Sequence, residues 1–351
     1  MTTFFNTVQI TNFKSLKNVT LSDCKRINLL IGKPNVGKSN ILEAIGLFSV
    51  YYFRYNKSKK LTQFVRFENI SELFFDGDID NQITITTDDY SSCIIKYLKP
   101  LGRTDKALID IKTKVRRCYN GNLYDDNVPN IYVDKTFNIY FPPYQHTART
   151  YIPIKVKYYK FPHSFLSKKQ GYCPSFLIPP VGVNLLEAIQ ESKIDSELSK
   201  IFSEYGLKLL FDKTNQTLRI DKPLKDGAAS FPLSSIADTL QRLIFFKTAI
   251  ASNENSILLF EEPEAHCFPP YITHIAKEII SSESNQFFIA THSPYILDTF
   301  LEKDRNDLAI YMADFKDGQT VIKRLTDAEL NDVYEYGLDL FFNAELFTDE
   351  I

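Results

Sequence analysis

The ten residues IGKPNVGKSN, Ile31–Asn40, constrain this chain more than any other stretch. They match the pattern G-x-x-x-x-G-K-[ST], and the apolar run that precedes them from Ile27 is typical of a buried parallel strand. The residues that follow, SNILEAIGLF, predict a helix that begins near Lys38. A strand, a glycine-rich loop and a helix in this order form a phosphate site, because loop amides and the helix N-terminus both favour an anion.

Each position in this loop has a chemical role in such a site. Gly32 and Gly37 let backbone N–H groups curl around a β-phosphate, Lys38 reaches the β- and γ-phosphate oxygens, and Ser39 offers its hydroxyl to Mg²⁺. We expect the loop residues that hold the nucleotide to be Gly32, Asn35, Val36, Gly37, Lys38, Ser39 and Asn40.

Composition excludes several other classes of protein. The formal net charge of −2 argues against a globally basic nucleic-acid binder. The five cysteines are scattered without a C-x-x-C pair, which indicates neither a disulfide framework nor a zinc site and fits a reducing cytosol. The N-terminus lacks the basic and apolar regions of a signal peptide, and no apolar run approaches the length of a membrane span. We therefore expect a cytoplasmic protein with no membrane segment.

A small GTPase is one alternative, because many GTPases have the same residues in their phosphate loop. Such a protein needs a D-x-x-G switch, yet none of the twelve glycines has an aspartate three residues before it. The guanine-reading motif has one echo, Ser192–Asp195, which lies inside an amphipathic run that is better interpreted as a helix. These absences argue against the GTPase interpretation.

A second acidic strand end appears far downstream. Four apolar residues, Ile257–Phe260, lead directly into Glu261 and Glu262. A carboxylate at the end of a buried strand holds the water shell of Mg²⁺, and the next carboxylate polarises an attacking water. We assign the metal role to Glu261 and the catalytic role to Glu262, as in a Walker B motif.

A third buried strand ends in a histidine. Residues Phe287–Ala290 are apolar, and Thr291, His292 and Ser293 follow them. Because this strand follows a phosphate loop and a strand with two carboxylates, we expect His292 to contact the γ-phosphate.

Four motifs in this order resemble a known family. They are NFKS at Asn12–Ser15, GKPNVGKS at Gly32–Ser39, LLFEEPEAH at Leu258–His266 and ATHSP at Ala290–Pro294. Together they resemble the ABC-type ATPase heads of the RecF, SMC/Rad50 and OLD group, in the branch found in anti-phage and abortive-infection systems. The resemblance implies an α/β P-loop NTPase fold with a mixed central sheet, an antiparallel β-lobe and an inserted helical region.

The resemblance also implies roles for further residues. Lys14 and Ser15 match positions beside the nucleotide phosphates, and His292 matches the switch histidine. Gln63, or else Gln82, matches the glutamine that senses Mg²⁺ and the γ-phosphate. Two more residues, Glu264 and His266, match the D-loop that crosses the dimer interface.

The signature motif departs from the family pattern. Such heads clamp the partner's ATP with L-S-G-G-x at a helix N-terminus, whereas Leu233–Arg242 here contains no glycine. Ser234 and Ser235 are the candidates to cap this helix and donate to phosphate. The alternative to a signature motif is an ordinary capped helix that packs into the core.

The motif spacing predicts the organisation of one head over residues 1–350. We expect an N-terminal lobe with the phosphate loop at 1–100, an inserted region at 101–230, and the signature helix, Walker B strand and switch histidine at 231–351. Predicted elements are a hairpin at 83–98, a strand of the antiparallel lobe at 151–161, a helix at 184–205, a hairpin turning at 213–216 and a helix at 235–251. Neither a coiled-coil arm nor a TOPRIM nuclease domain is expected.

The resemblance implies ATP and Mg²⁺ as cofactors. It implies two partners, a second copy of the chain and a separate effector, for which a nuclease in anti-phage defence is the candidate. Two basic, aromatic stretches, 51–67 and 112–120, leave nucleic acid open as another partner, although a solvated face is the better interpretation of both. Two alternatives stay open: a DNA-repair head that binds DNA directly, and a scaffold that binds ATP without hydrolysing it.

Overall fold

The computed structural model describes residues 4–56, 58–99, 107–119, 122–141, 155–162, 174–212 and 217–348. The described chain forms three β-sheets with helices packed against them, so the predicted α/β fold with a mixed sheet and an antiparallel sheet is confirmed.

The strands follow one another along the chain as β1 (Val8–Phe13), β2 (Leu16–Leu21), β3 (Ile27–Ile31), β4 (Ile83–Thr87), β5 (Ser92–Tyr97), β6 (Ala107–Tyr119), β7 (Asn122–Asp134), β8 (Ile139–Tyr140), β9 (Val156–Tyr159), β10 (Lys208–Asp212), β11 (Thr217–Leu224), β12 (Gly227–Pro232), β13 (Ile257–Glu261), β14 (Gln286–Ala290), β15 (Leu308–Lys316) and β16 (Gln319–Arg324).

The α-helices are α1 (Lys38–Gly46), α2 (Leu185–Ser192), α3 (Asp195–Ser203), α4 (Asp238–Ala251), α5 (Pro269–Ser281), α6 (Pro294–Lys303), α7 (Asp327–Tyr336) and α8 (Ala344–Thr348). A 3-10 helix, Leu47–Tyr55, continues directly from α1. The longest α-helix among these described elements has 14 residues, too short for the three or four heptads of a coiled-coil arm. Among the described residues, no helix combines the length and apolar character needed to cross a bilayer.

The six-stranded sheet brings the three motif strands together. Its order is β16-β15-β3-β14-β13-β9, and every strand except β16 runs parallel to its neighbours. The carboxyl ends of β3, β14 and β13 therefore meet at one edge, where parallel α/β sheets bind ligands. Side chains of β3 alternate between two cores, with Leu30 in one and Leu29 and Ile31 in the other.

The seven-stranded sheet is antiparallel and has the order β2-β1-β4-β5-β6-β7-β8. It contains the hairpin predicted at 83–98, which is confirmed as β4 and β5. Because β5 pairs with β6, this sheet runs across the boundary predicted at residue 100. The N-terminal strands and the inserted region thus share one sheet and one core.

The strand predicted at 151–161 does not belong to the antiparallel lobe. Residues 151–154 lie outside the described part, and Val156–Tyr159 forms the parallel edge strand β9 beside β13. All four residues of β9 are buried, including Lys157, whose ammonium donates to the Ser256 hydroxyl at 2.9 Å. The alternation of apolar residues with lysines in this segment therefore did not indicate a solvent-facing side of the strand.

The helix predicted at 184–205 is two helices. Lys193 ends α2 in the left-handed conformation with φ 57°, and α3 begins two residues later. The next predicted hairpin is confirmed as β10 and β11, although its turn at 213–216 lies outside the described residues.

Candidate functional site

The phosphate loop joins β3 to α1 as the sequence predicts. Asn35 and Gly37 have positive φ of 64° and 102°, so the loop turns sharply before Lys38 opens the helix. At Gly32, a Cβ would lie 2.2 Å from the carbonyl oxygen of Ala313 on β15. Glycine is required there because the loop packs directly on the neighbouring strand.

Lys38 is folded onto its own loop. Its Nζ donates to the carbonyl oxygens of Gly32 and Lys33, both at 2.7 Å. Burial lowers the pKa of Lys38 to about 8, and the charge of Glu262 opposes that shift. A phosphate oxygen offers this ammonium a charge that the carbonyls lack, so the lysine is poised to exchange partners.

The two predicted metal ligands meet at this edge. The Ser39 hydroxyl hydrogen-bonds to the Glu261 carboxylate, although more than 200 residues separate them in the chain. A hydroxyl and a carboxylate are oxygen donors of the kind Mg²⁺ prefers, so these residues fit a magnesium ion beside the phosphates.

Glu261 also has two partners that sequence reasoning missed. Arg66 donates to it at 2.7 Å and the Tyr158 hydroxyl donates at 2.9 Å. Burial would raise the pKa of Glu261, but Lys160, Ser39 and Arg66 outweigh burial and lower it. This carboxylate is therefore held ionised, as a metal ligand must be.

A buried carboxylate, Glu43, anchors those cations. Its side chain is fully buried and contacts Lys14 at 2.5 Å, the Arg66 Nε at 3.0 Å and Lys160 at 3.4 Å. Arg66 thus bridges Glu43 and Glu261. The sequence signal was a glutamate inside the apolar helix stretch ILEAIG, which indicates a buried charge that needs partners.

The two predicted catalytic residues lie side by side. Glu262 follows β13 with φ 43°, and its carboxylate lies 3.6 Å from the imidazole Nε2 of His292. Both side chains are partly exposed, at 48% and 39%. Burial and the nearby Lys38 ammonium lower the pKa of His292, which keeps the imidazole neutral near pH 7.

Glu264 is buried within its own chain. It is 8% exposed, and its Oε1 accepts hydrogen bonds from the Thr291 hydroxyl at 2.6 Å and the His292 N–H at 2.9 Å. Burial raises its pKa, and its Oε2 has no partner among the described residues. The resemblance implies that Glu264 belongs to the D-loop at the dimer interface, which stays a prediction. Within one chain, its contacts tie the Walker B turn to the switch loop.

The signature helix begins later than predicted. Helix α4 starts at Asp238, not Ser235, because Leu233–Ser235 forms a separate 3-10 turn. No side chain caps α4, and Ser234 and Ser235 are both exposed before it. His266 lies beside this helix, since its carbonyl accepts from the Thr239 hydroxyl at 3.0 Å.

The remaining predicted ligands differ in whether they have protein partners. The Lys14 ammonium is held by Glu43, and the Asn40 amide donates to the Ser15 hydroxyl at 2.8 Å. Gln63 is exposed with no side-chain hydrogen bond given by the described residues, while Gln82 contacts Thr84 at 3.4 Å. Arg66, three residues after Gln63, is the side chain from this segment that reaches Glu261.

The basic, aromatic stretch at 51–67 is largely core. Tyr51, Tyr52 and Phe53 are each at most 3% exposed, and Tyr52 packs edge-on against Phe176 at 5.4 Å. These rings are therefore unavailable to stack on bases, and a solvated face is equally wrong for them. The second stretch, 112–120, lies partly outside the described residues.

Comparisons with known proteins agree with this site. A family model described as an AAA ATPase domain matches residues 4–172, and a second, described as an AAA domain, putative AbiEii toxin, Type IV TA system, matches residues 184–298. An ATP/GTP phosphatase of Helicobacter pylori is 23% identical over 96% of this chain and 98% of its own. The DNA replication and repair protein RecF of Clostridioides difficile is 37% identical over 71 residues, which is 20% of this chain and 18% of RecF.

Two solved structures share the fold. An Smc head bound to the C-winged helix domain of ScpA superposes with a TM-score of 0.50 at 16% identity, covering 93% of this chain and 99% of that one. The Smc head with an extended coiled coil bound to the C-terminal domain of ScpA, derived from Pyrococcus furiosus, gives 0.50 at 14% identity, with 95% and 99% covered. The two ATPase domain matches, the phosphatase homologue and the shared fold together support the predicted ABC-type ATPase of the RecF/SMC-like group. The matched ATPase domain and the ATP/GTP phosphatase homologue support the prediction that it is an enzyme that hydrolyses ATP.

Proposed function

We propose that this ATPase works as a pair of heads that close on ATP and thereby control a separate effector protein. The observation that carries the proposal is the half-exposed pair of Glu262 and His292 beside the buried Lys38. One chain supplies the phosphate loop and both carboxylates, but leaves the side where water attacks open. A second copy is needed to cover it.

Each residue then has a defined task. Lys38 and the loop amides bind the β- and γ-phosphates, and Ser39 and Glu261 hold Mg²⁺, which neutralises phosphate charge when bound. Glu262 accepts a hydrogen bond from the attacking water and orients it towards the γ-phosphate, while neutral His292 contacts the γ-phosphate oxygen. The products are ADP and inorganic phosphate.

Ser234 and Ser235 are assigned to the partner's nucleotide. Both are exposed ahead of α4, whose N-terminal amides have no side-chain cap. Unsatisfied amides at a helix N-terminus favour an anion, so a γ-phosphate presented by the second copy would fit there.

The effector is proposed to be another protein, with a nuclease of anti-phage defence as the leading candidate. The match to a domain described as a putative AbiEii toxin of a type IV TA system supports a defensive role. The Smc heads of this fold are bound to a domain of ScpA, which supports control through a bound partner. The cytoplasm is the compartment that such a role implies.

Phosphate release from ATP and from GTP tests the enzymatic part of this proposal. We expect ATP to be preferred, and we expect Glu262→Gln to abolish turnover. The control Glu254→Gln, at an exposed residue in the turn before β13, should leave turnover unchanged. Turnover that survives Glu262→Gln would refute the catalytic assignment.

A DNA-repair head is the second candidate, because the local match to RecF reaches 37% identity over 71 residues. Binding of double-stranded DNA measured across a salt series separates the two. A steep loss of affinity with salt favours the repair head, because phosphate contacts release counterions, whereas no measurable binding favours the effector-controlling head.

A further inference from the structure

A chain of hydrogen bonds supports the phosphate loop from behind. The Asn40 amide donates to the Ser15 hydroxyl at 2.8 Å, Ser15 and Thr320 join hydroxyls at 2.7 Å, and the Thr320 hydroxyl donates to the Val36 carbonyl oxygen at 2.9 Å. A carbonyl only accepts, so the single Thr320 proton goes to Val36 and Ser15 must donate to Thr320. The protons in this chain therefore all run in one direction, from Asn40 through Ser15 and Thr320 to the Val36 carbonyl.

Thr320 touches the loop closely. It is 2% exposed on β16, and its own N–H donates to the Ser15 carbonyl at 2.8 Å. At Gly37, where φ is 102°, a Cβ would lie 2.1 Å from the Thr320 hydroxyl oxygen. Threonine and glycine therefore fit together at the last turn before Lys38.

This contact determines where a loop amide points. In a trans peptide the C=O and the following N–H point in opposite directions. The bond to the Val36 carbonyl therefore holds the Gly37 N–H away from Thr320, towards the inside of the loop where a phosphate binds. We propose that Thr320 is a positioning residue that sets the affinity for ATP by orienting the Val36–Gly37 peptide. The inference rests on the proposed role of the loop in binding ATP.

Nothing in the sequence motifs marks this residue. Thr320 lies about 280 residues after Gly37 and beyond both matched family regions, which end at residues 172 and 298. The pairing of β15 with β3 and the backbone bond from Thr320 to Ser15 bring the C-terminal hairpin against the loop.

ATP affinity and steady-state kinetics of four variants test the inference. Thr320→Val keeps the shape but leaves the Val36 carbonyl unpaired, so we expect ATP to bind about tenfold more weakly, with kcat at saturating ATP changed less than about threefold. Thr320→Ser keeps the hydroxyl and should restore wild-type affinity. Ser15→Ala should weaken binding less than Thr320→Val and add nothing to it in the double variant, because both act through one chain of bonds.

Thr113→Val is the matched control, since Thr113 is also buried in a strand, with its hydroxyl on Cys93 in the antiparallel sheet. Thermal unfolding of each variant shows whether it is folded. Wild-type affinity in a folded Thr320→Val variant, or an equal loss in Thr320→Ser or Thr113→Val, would overturn the inference. Wild-type protein that bound no ATP would instead contradict the proposed function itself.

Discussion

The consecutive carboxylates Glu261 and Glu262 lie in very different surroundings. Glu261 is 16% exposed in its side chain and hydrogen-bonds with Ser39, Arg66 and Tyr158. Glu262 is 48% exposed, its carboxylate lies 3.6 Å from the His292 imidazole, and its charge also acts on Lys38. The metal side of the site, formed by Ser39 and Glu261, lies within one chain. The water side, formed by Glu262 and His292, is open to solvent.

This difference indicates which part of the reaction a single chain can perform. A preorganised, partly dry set of dipoles binds Mg²⁺ and phosphate without reorganisation. An exposed carboxylate orients water poorly, because bulk water competes for its hydrogen bonds. This difference supports the proposal that one chain binds the nucleotide and that efficient hydrolysis needs a second copy.

The largest expected effect separates the two carboxylates directly. Glu262→Gln should lower kcat by about a hundredfold or more and leave the affinity for MgATP near wild type. Glu261→Gln should instead weaken MgATP binding and leave Mg²⁺-free ATP binding unchanged. Equilibrium binding with and without Mg²⁺, beside kcat and KM, measures both. Identical behaviour of the two variants would remove the distinction between the metal side and the water side.

Loss of the buried anchor on the metal side should destabilise the fold. Glu43→Ala leaves Lys14, Arg66 and Lys160 without their shared carboxylate, which should lower the free energy of unfolding by about 3–5 kcal/mol. Urea unfolding monitored by circular dichroism measures the change. The exposed Glu191→Ala serves as the control and should cost little. An unchanged midpoint in Glu43→Ala would mean that the cluster contributes no stability.

A smaller effect is expected at the residue that holds the switch loop. Glu264→Ala removes the acceptor of the Thr291 hydroxyl and the His292 N–H, so we expect kcat to fall about tenfold with little change in KM. Glu264→Gln retains an acceptor oxygen and should recover most of the rate. A loss of rate as large in Glu264→Gln as in Glu264→Ala would show that the charge, and not the positioning of His292, is what matters.

The pH dependence of binding reports on Lys38. Only the protonated ammonium attracts phosphate, and its pKa near 8 in the free enzyme should rise when ATP binds. Above pH 8 binding must take up a proton, so ATP affinity should be about tenfold weaker at pH 9 than at pH 7. Circular dichroism at both pH values controls for unfolding. An affinity that is flat across this range would contradict the depressed pKa.

The two sides also differ in how far the sequence predicts them. Glu261, Glu262 and His292 could be predicted because each directly follows an apolar strand, and parallel strands end at one edge. Arg66, Tyr158 and Thr320 could not, because they reach the site from a 3-10 region, an edge strand and a C-terminal hairpin that only the folded chain brings together.

The sequence-based predictions of helix bounds that were wrong also have physical causes. The break at Lys193 is a left-handed residue without a glycine, so no composition signal marked it. The late start of α4 arises because Leu233 is buried and turns the chain before the helix begins.

Mixing two inactive variants tests most directly whether two copies complete one site. Glu262→Gln lacks the catalytic carboxylate but keeps Ser234 and Ser235, while a double variant with glutamate at positions 234 and 235 keeps Glu262 and repels the partner's γ-phosphate. Each alone should be inactive. Combined in equal amounts before ATP is added, they should recover about a quarter of the wild-type rate, since half of the dimers are mixed and each has one intact site. No recovery, with both variants folded and binding ATP, would contradict the shared site.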